Sequence, residues 1–121
     1  MAVPLYQAKA EFFRTLGHPA RIRVLELLQD GPLPVRELLA ALEIEASSLS
    51  QQLAVLRRTN LVTATRDGNT VVYALSTPDV AGLLRAARSI LGEMITDQRQ
   101  LLNELSTPTA PTSATAHEVR A

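Results

Sequence analysis

The apolar residues of this chain change their spacing near Asn60, and that change limits the folds that the sequence can adopt. Before Asn60 they recur every three or four residues, which is the period of amphipathic helices. Two runs rich in β-branched residues follow, over residues 61–66 and 70–75, and an Asp-Gly-Asn tripeptide joins them. Asp-Gly between two such runs predicts a β-hairpin, because glycine accepts the positive φ of a tight turn.

Helical segments lie on both sides of this hairpin, and proline or glycine marks several of their ends. Gly17, expected in the left-handed conformation that ends a helix, and Pro19 separate the first two, and Pro34 opens the third. The predicted helices cover residues 5–16, 19–29, 34–42, 46–58 and 78–106. The third and fourth, joined by a short link, form a helix-turn-helix. The expected fold class is therefore mainly α with a small β-hairpin (α+β): a dimeric winged helix-turn-helix with about five helices and a two-stranded wing.

The segment from Glu45 to Arg58 is the candidate recognition helix of this fold. Leu49, Leu53 and Leu56 form a narrow apolar stripe on one side of it. The opposite side carries hydroxyls, amides and arginine, which hydrogen-bond to base edges and phosphates. No acidic residue lies between Ala46 and Arg66. The predicted DNA contacts on this helix and on the hairpin are Ser47, Ser48, Ser50, Gln51, Gln52, Arg57, Arg58, Arg66 and Asn69.

The same features also have a structural interpretation. Ser48 and Gln51 have the spacing of a capping box, and a polar helix face can simply be solvated. The net charge of zero is a mild argument against nucleic-acid binding. However, residues 31–45 hold one arginine against three glutamates, whereas residues 46–75 hold three arginines against one aspartate. The candidate recognition surface is thus the basic part of a neutral chain, and dimerisation would double its charge.

The last helix is predicted to form a dimer interface. Its apolar residues advance by alternating fours and threes, the 3.5-residue period of a coiled coil, and Gln98 is the one polar residue in that seam. Both phenylalanines of the chain lie in the first helix, where the domain or a second subunit must cover them. The predicted interface residues are Leu5, Phe12, Phe13, Leu84, Leu91, Met94, Gln98 and Leu101.

Composition limits the function classes. The chain has 121 residues and no cysteine. It therefore cannot form a disulfide, and it has no thiolate that could act as a nucleophile or as a metal ligand. It shows no Ser/His/Asp set and no glycine-rich phosphate loop, so no enzyme is predicted. No signal peptide and no apolar stretch of about 18 residues is found, so a cytoplasmic protein that binds no membrane is expected. Residues 1–106 are expected to form one DNA-binding and dimerisation domain, and residues 107–121 a disordered tail.

Three segments together resemble the ArsR/SmtB family of bacterial winged-helix repressors: LGHPARIRVLELL (16–28), SLSQQLAVLRRTNLV (48–62) and RDGNTVVYAL (66–75). The resemblance extends over roughly residues 5–105. It implies a homodimer built from the first and last helices, with two winged units on a palindromic operator in double-stranded DNA. It also implies that effector binding lowers DNA affinity, so that the gene is released from repression.

The positions where this family often binds a metal effector carry few suitable ligands in this chain. Many members have a Cys-x-Cys pair on the third helix, and the matching residues here are Pro34 and Arg36. Others bind metal along the last helix, and the matching residues here are Thr77, Asp79, Ile90 and Glu93. Two carboxylates without an imidazole are poor ligands for zinc, nickel or copper. No cofactor is therefore expected, although a divalent metal effector is possible.

The remaining candidate metal ligands are Asp79, Glu93 and His18. Each of them also has a simpler structural interpretation. Asp79 would cap the last helix, Glu93 would be a surface acid, and His18 would belong to the junction between the first two helices. The other histidine, His117, lies in the expected tail.

The sequence favours a sequence-specific DNA-binding transcriptional regulator that acts as a homodimeric repressor. Two alternatives stay open: a winged-helix module that binds other proteins, and a DNA-binding subunit whose effector is sensed by a separate partner protein. The neutral net charge and the missing sensor ligands support the first of these alternatives.

Overall fold

The structure, a computed structural model that describes residues 2–106, contains five α-helices and a three-stranded antiparallel sheet within that range. The helices are α1 (Leu5–Leu16), α2 (Pro19–Leu27), α3 (Val35–Leu42), α4 (Ala46–Arg58) and α5 (Pro78–Ser106), and a 3-10 turn (Leu28–Asp30) follows α2. The strands are β1 (Leu33–Pro34), β2 (Val62–Asp67) and β3 (Thr70–Leu75). The predicted winged helix-turn-helix is confirmed. Among these residues, no helix has both the length and the apolar character needed to cross a bilayer.

The chain divides into two compact units, one ending at Arg85 and one beginning at Ala86. The core of the first unit is built from leucine and valine, and no polar or charged side chain of the described residues is buried in it. Its most deeply buried large side chains are Val24, Leu25, Leu38, Leu49, Leu56 and Val62. Burial of each such side chain contributes about 1.5–3 kcal/mol, so these contacts hold α2, α3, α4 and the sheet together.

Leu84 belongs to this core, so the prediction that it lies at the dimer interface is wrong. Its side chain is 8% exposed and packs in the same buried cluster as Val80. The first turns of α5 lie in the first unit, which ends at Arg85. The apolar spacing of α5 continues unchanged past that point, so the sequence pattern could not show where core packing stops.

The wing is a β-hairpin in the predicted position. β2 and β3 pair antiparallel from Val62 opposite Leu75 to Asp67 opposite Thr70. The two residues between the strands form the turn, and Gly68 has a φ of 66°, as expected of glycine at this position.

A third strand extends this hairpin, which corrects the prediction of a two-stranded wing. β1 pairs with β3, with Leu33 opposite Tyr73 and Pro34 opposite Val72, and the strand order is β1-β3-β2. A strand of two residues has no room for an alternating pattern, so the sequence did not indicate it. Pro34, predicted to open α3, is instead extended, at φ −73° and ψ 157°, and is the N-cap residue of that helix. The helix therefore begins at Val35, one residue later than predicted.

Of the two residues predicted to end α1 and α4, only one has a left-handed backbone conformation. Asn60, predicted to end α4, has a φ of 64°. Gly17, predicted to be left-handed, has a φ of −79°, and its N–H donates to the carbonyl of Arg14 at 3.1 Å. A tight last turn of α1 therefore replaces the left-handed cap.

His18 caps α2. It lies in the extended region directly before Pro19, and its Nδ1 accepts a hydrogen bond from the N–H of Ala20 at 3.1 Å. The cap satisfies one of the free N–H groups of the helix start. His18 thus has the structural role that the sequence favoured.

Replacing His18 by alanine should lower the free energy of unfolding by about 1 kcal/mol, because the N–H of Ala20 loses its acceptor. His18→Asn supplies an oxygen acceptor at the same place and should retain most of the stability. Urea denaturation of both variants measures the difference. Equal losses in the two variants would show that the cap does not matter.

Candidate nucleic-acid interface

The outer side of α4 is polar and exposed. Ser47, Gln51 and Arg58 lie opposite the buried stripe of Leu49, Leu53 and Leu56, and all three are exposed. Their spacing of four and seven residues places them on one side of the helix, so a surface that meets this side meets all three.

The polar residues of α4 are not used to cap the helix. α4 begins at Ala46, and no side chain accepts a hydrogen bond at its N-terminus. The alternative in which Ser48 and Gln51 form a capping box is therefore wrong, because the helix starts two residues before Ser48. The free N–H groups at this end remain available to an anion.

A groove of about 460 Å³ separates α4 from the wing. Ser50, Arg57 and Arg58 line it from α4, and Tyr73 lines it from β3. Ser50, Arg57 and Arg58 are exposed. Two guanidinium groups beside hydroxyls offer several hydrogen-bond donors to a phosphate, which is the chemistry by which proteins hold the DNA backbone.

Arg36 adds a further guanidinium group beside the wing, although it was not among the predicted DNA contacts. Its Nη1 donates to Oγ1 of Thr70 at 3.4 Å, and the side chain is exposed. It lies in the acidic segment 31–45, so charge counting along the chain did not single it out. The pairing of β1 with β3 brings it there, and the sequence did not show that pairing. Arg66 and Asn69 are exposed on the hairpin, as predicted.

The flank of α4 that faces α2 differs from the outer side. Ser48 and Gln52 lie here and are half-buried. Oε1 of Gln52 accepts a hydrogen bond from Nε of Arg21 at 2.8 Å. Gln52 therefore already holds a partner within the protein, which the sequence did not indicate because Arg21 lies 31 residues earlier.

Exposed apolar residues occur in α1 of the first unit. Leu5 is 70% exposed and Phe13 is 55% exposed, and Phe12 also reaches the surface. The two phenyl rings pack edge to face with their centroids 5.5 Å apart. Phe13 is thus more than half exposed, whereas Phe12 is about one-third exposed.

The second unit, the described part of α5 from Ala86, is also rich in exposed apolar side chains. Those predicted at the interface, Leu91, Met94 and Leu101, are each more than half exposed. Gln98 is exposed in the same helix. No described residue from Ala86 onward is buried.

The candidate metal ligands have mostly structural positions. Thr77 rather than Asp79 caps α5, since Oγ1 of Thr77 accepts from the N–H of Asp79 at 3.3 Å. The cap predicted for Asp79 is therefore wrong. Asp79 lies exposed in the first turn, where a carboxylate favours the positive end of the helix dipole. Glu93 is exposed, as its structural interpretation predicted.

The described part of the chain contains no group of three or more His, Asp or Glu side chains placed to hold a metal ion. His18 uses Nδ1 to cap α2. His117 lies outside the described residues. The absence of a metal site in this chain stays a prediction.

Comparison with known proteins places these features in a family. The profile described as "Bacterial regulatory protein, arsR family" matches residues 18–64, which run from the cap of α2 into β2. The HTH-type transcriptional regulator Rv0081 of Mycobacterium tuberculosis (strain ATCC 25618 / H37Rv) is 52% identical over 103 residues, or 84% of this chain and 90% of that protein. The crystal structure of Rv0081 has a TM-score of 0.74 to this chain and covers 80% of it, with 98% of that chain matched.

Two further solved structures share the fold. The transcriptional repressor BigR from Xylella fastidiosa is 33% identical, with a TM-score of 0.66 over 70% of this chain and 87% of that chain. The homodimeric winged helix-turn-helix domain of Mb0332 (fragment 1–100) from Mycobacterium bovis is 26% identical, with a TM-score of 0.68 over 75% of this chain and 84% of that chain.

We predict that the tag-free protein has no tight site for nickel or zinc, because Asp79 and Glu93 offer only oxygen ligands. Calorimetric titration with each metal should show no binding with a dissociation constant near or below about one micromolar. Stoichiometric binding at that level, lost in the Asp79→Ala/Glu93→Ala variant, would reveal a metal effector site.

Proposed function

The chain belongs to the arsR family of bacterial transcriptional regulators, and we propose that it is a homodimeric repressor whose α4 enters the major groove of a palindromic operator. The observation that carries this proposal is the position of α4. Three buried leucines dock it, and its opposite side presents a serine, an amide and an arginine to solvent. A helix with such a face fits the major groove, where base edges are distinguished by their donors and acceptors. We place the protein in the cytoplasm, where this DNA is found.

The side chains divide into base and phosphate contacts. Ser47 and Gln51 lie on the outer side of α4 and are suited to base edges, since each can donate and accept. Arg57, Arg58 and Arg66 are exposed cations around the groove and the wing, and are suited to phosphates. Phosphate contacts give affinity and register, whereas base contacts give sequence discrimination.

A second copy of the chain would cover the exposed apolar side chains of α1 and of the second unit. Side chains such as Leu5, Phe13 and Leu91 are too apolar and too numerous for a solvated surface. The Mb0332 domain, which shares this fold, is homodimeric, and that supports the assignment. A two-fold dimer presents two copies of α4, which accounts for a palindromic operator and doubles the basic surface of a neutral chain. An effector-sensing partner protein stays a prediction.

The DNA-binding role predicts different losses for Gln51→Ala and Arg58→Ala. Gln51→Ala should weaken binding to the DNA upstream of the protein's own gene by about 1–3 kcal/mol and leave binding to random DNA nearly unchanged. Arg58→Ala should weaken binding to both DNAs alike and lower the salt slope by about one for each phosphate that the arginine neutralises. Gel retardation at several salt concentrations measures both effects.

Equal losses on the two DNAs for Gln51→Ala would remove Gln51 from base recognition, and an unchanged salt slope for Arg58→Ala would argue against a phosphate contact. A wild-type protein that does not distinguish the upstream DNA from random DNA would favour the protein-interaction module over the repressor.

The dimer should dissociate when Leu91 is replaced by glutamate, because an unpaired carboxylate would be buried in an apolar seam at a cost of several kcal/mol. Ser89→Glu is the matched control, since Ser89 lies on the opposite side of the same helix and receives the same charge. Sedimentation should show a monomer for Leu91→Glu and a dimer for Ser89→Glu. A dimer in both variants would remove Leu91 from the interface.

A further inference from the structure

One guanidinium group connects three helices of the first unit. Nε of Arg21, in α2, donates to Oε1 of Gln52 in α4 at 2.8 Å. Nη1 of Arg21 donates to the main-chain carbonyl of Thr15 in the last turn of α1 at 3.1 Å. All three residues are half-buried, so these bonds are partly shielded from competition with water.

The two bonds use the shape of arginine. A guanidinium group is planar and holds its donors in fixed directions, so two acceptors on different helices fix its position and are fixed by it. The carbonyl of Thr15 is one of those that the end of α1 leaves without a helical partner, and a cation is favoured at that end of the helix dipole. A lysine ammonium, which is a flexible point charge, does not reproduce this geometry.

The bond to Arg21 also determines how Gln52 can act. Oε1 of Gln52 faces Arg21, so the amide presents its NH₂ end to any further partner. Without Arg21, the amide can turn over and present either end. The bond thus holds the α2-facing flank of α4 in one state before DNA binds, and an ordered side chain loses less entropy on binding.

We propose that Arg21 is a positioning residue for operator recognition: it holds α4 and the amide of Gln52 in the orientation that distinguishes the operator from other DNA. It acts through Gln52 and not by contacting DNA. The inference rests on the proposed DNA-binding function. It also links α1, which carries Phe12 and Phe13, to the recognition helix through the carbonyl of Thr15.

The test compares binding to DNA from the region upstream of the protein's own gene with binding to a random fragment of equal length. The variants are Arg21→Met, Arg21→Lys, Gln52→Met and the double variant Arg21→Met/Gln52→Met. Arg23→Met is the matched control, because Arg23 is an exposed arginine of the same helix that pairs with Glu26. Affinity is measured at several salt concentrations, and thermal denaturation and sedimentation establish that each variant is a folded dimer.

Arg21→Met and Gln52→Met should each weaken binding to the upstream DNA about tenfold, and the double variant should also lose about tenfold rather than a hundredfold, because both remove the same bond. Arg21→Lys keeps the charge but should lose the same affinity for the upstream DNA as Arg21→Met. If Arg21→Met does not fold, Arg21→Lys tests the proposal in its place. Binding to random DNA and the salt slope should stay unchanged in all variants, and Arg23→Met should match the wild type.

Three results would overturn the proposal. A loss on both DNAs together with a lower salt slope would make Arg21 a phosphate contact. A hundredfold loss in the double variant would show that Arg21 and Gln52 act independently. Wild-type affinity in Arg21→Lys would show that charge alone suffices. Failure of the DNA-binding function itself is seen separately, in a wild-type protein that does not prefer the upstream DNA.

Discussion

The burial of three leucines on one side of α4 is the interaction on which the rest of this molecule depends. A helix of 13 residues is marginally stable alone in water, so α4 exists because Leu49, Leu53 and Leu56 pack in the core. The same packing decides which side chains face solvent. Because α2 and α3 also contribute buried residues to this core, the three helices pack together, and the wing joins them through β2, whose first residue, Val62, is buried. Stability and the presentation of the polar face therefore have one physical origin.

Features set by neighbouring residues could be predicted from the sequence. The bounds of α1 and α4, the start of α5 and the position of the hairpin follow from the apolar period, proline and glycine. The turn of the hairpin has two residues rather than the three predicted, because Asp67 belongs to β2. Some errors were local, such as the start of α3 and the cap predicted for Asp79, and the others concern contacts between distant segments. β1 was missed because a pair of residues has no pattern. Leu84 was assigned to the dimer interface because its spacing continues that of exposed apolar residues farther along α5.

The candidate interface shows the same division. Ser47, Gln51 and Arg58 were found from their place on one helix, and the structure leaves them exposed. Arg36 and the bond between Arg21 and Gln52 depend on segments separated by 34 and 31 residues. Single-helix periodicity contains no information on such pairs. The basic surface is therefore larger than counting charges along the chain indicated, since it gathers arginines from α3, α4 and the wing.

The separation of the apolar stripe from the outer face of α4 has a consequence for how proteins of this kind diverge. Substitutions at positions such as Ser47, Gln51 and Arg58 leave the packing of the leucines unchanged, so operator preference can drift while the fold persists. Gln52 is different, because its oxygen is shared with Arg21. A change there alters an internal bond as well as the flank of α4 that faces α2, and compensation has to come from α2. Residues on the outer face of α4 can therefore change independently of the rest of the protein, whereas Gln52 can change only together with Arg21. Redesign of the DNA preference of α4 has to treat Arg21 and Gln52 as a pair.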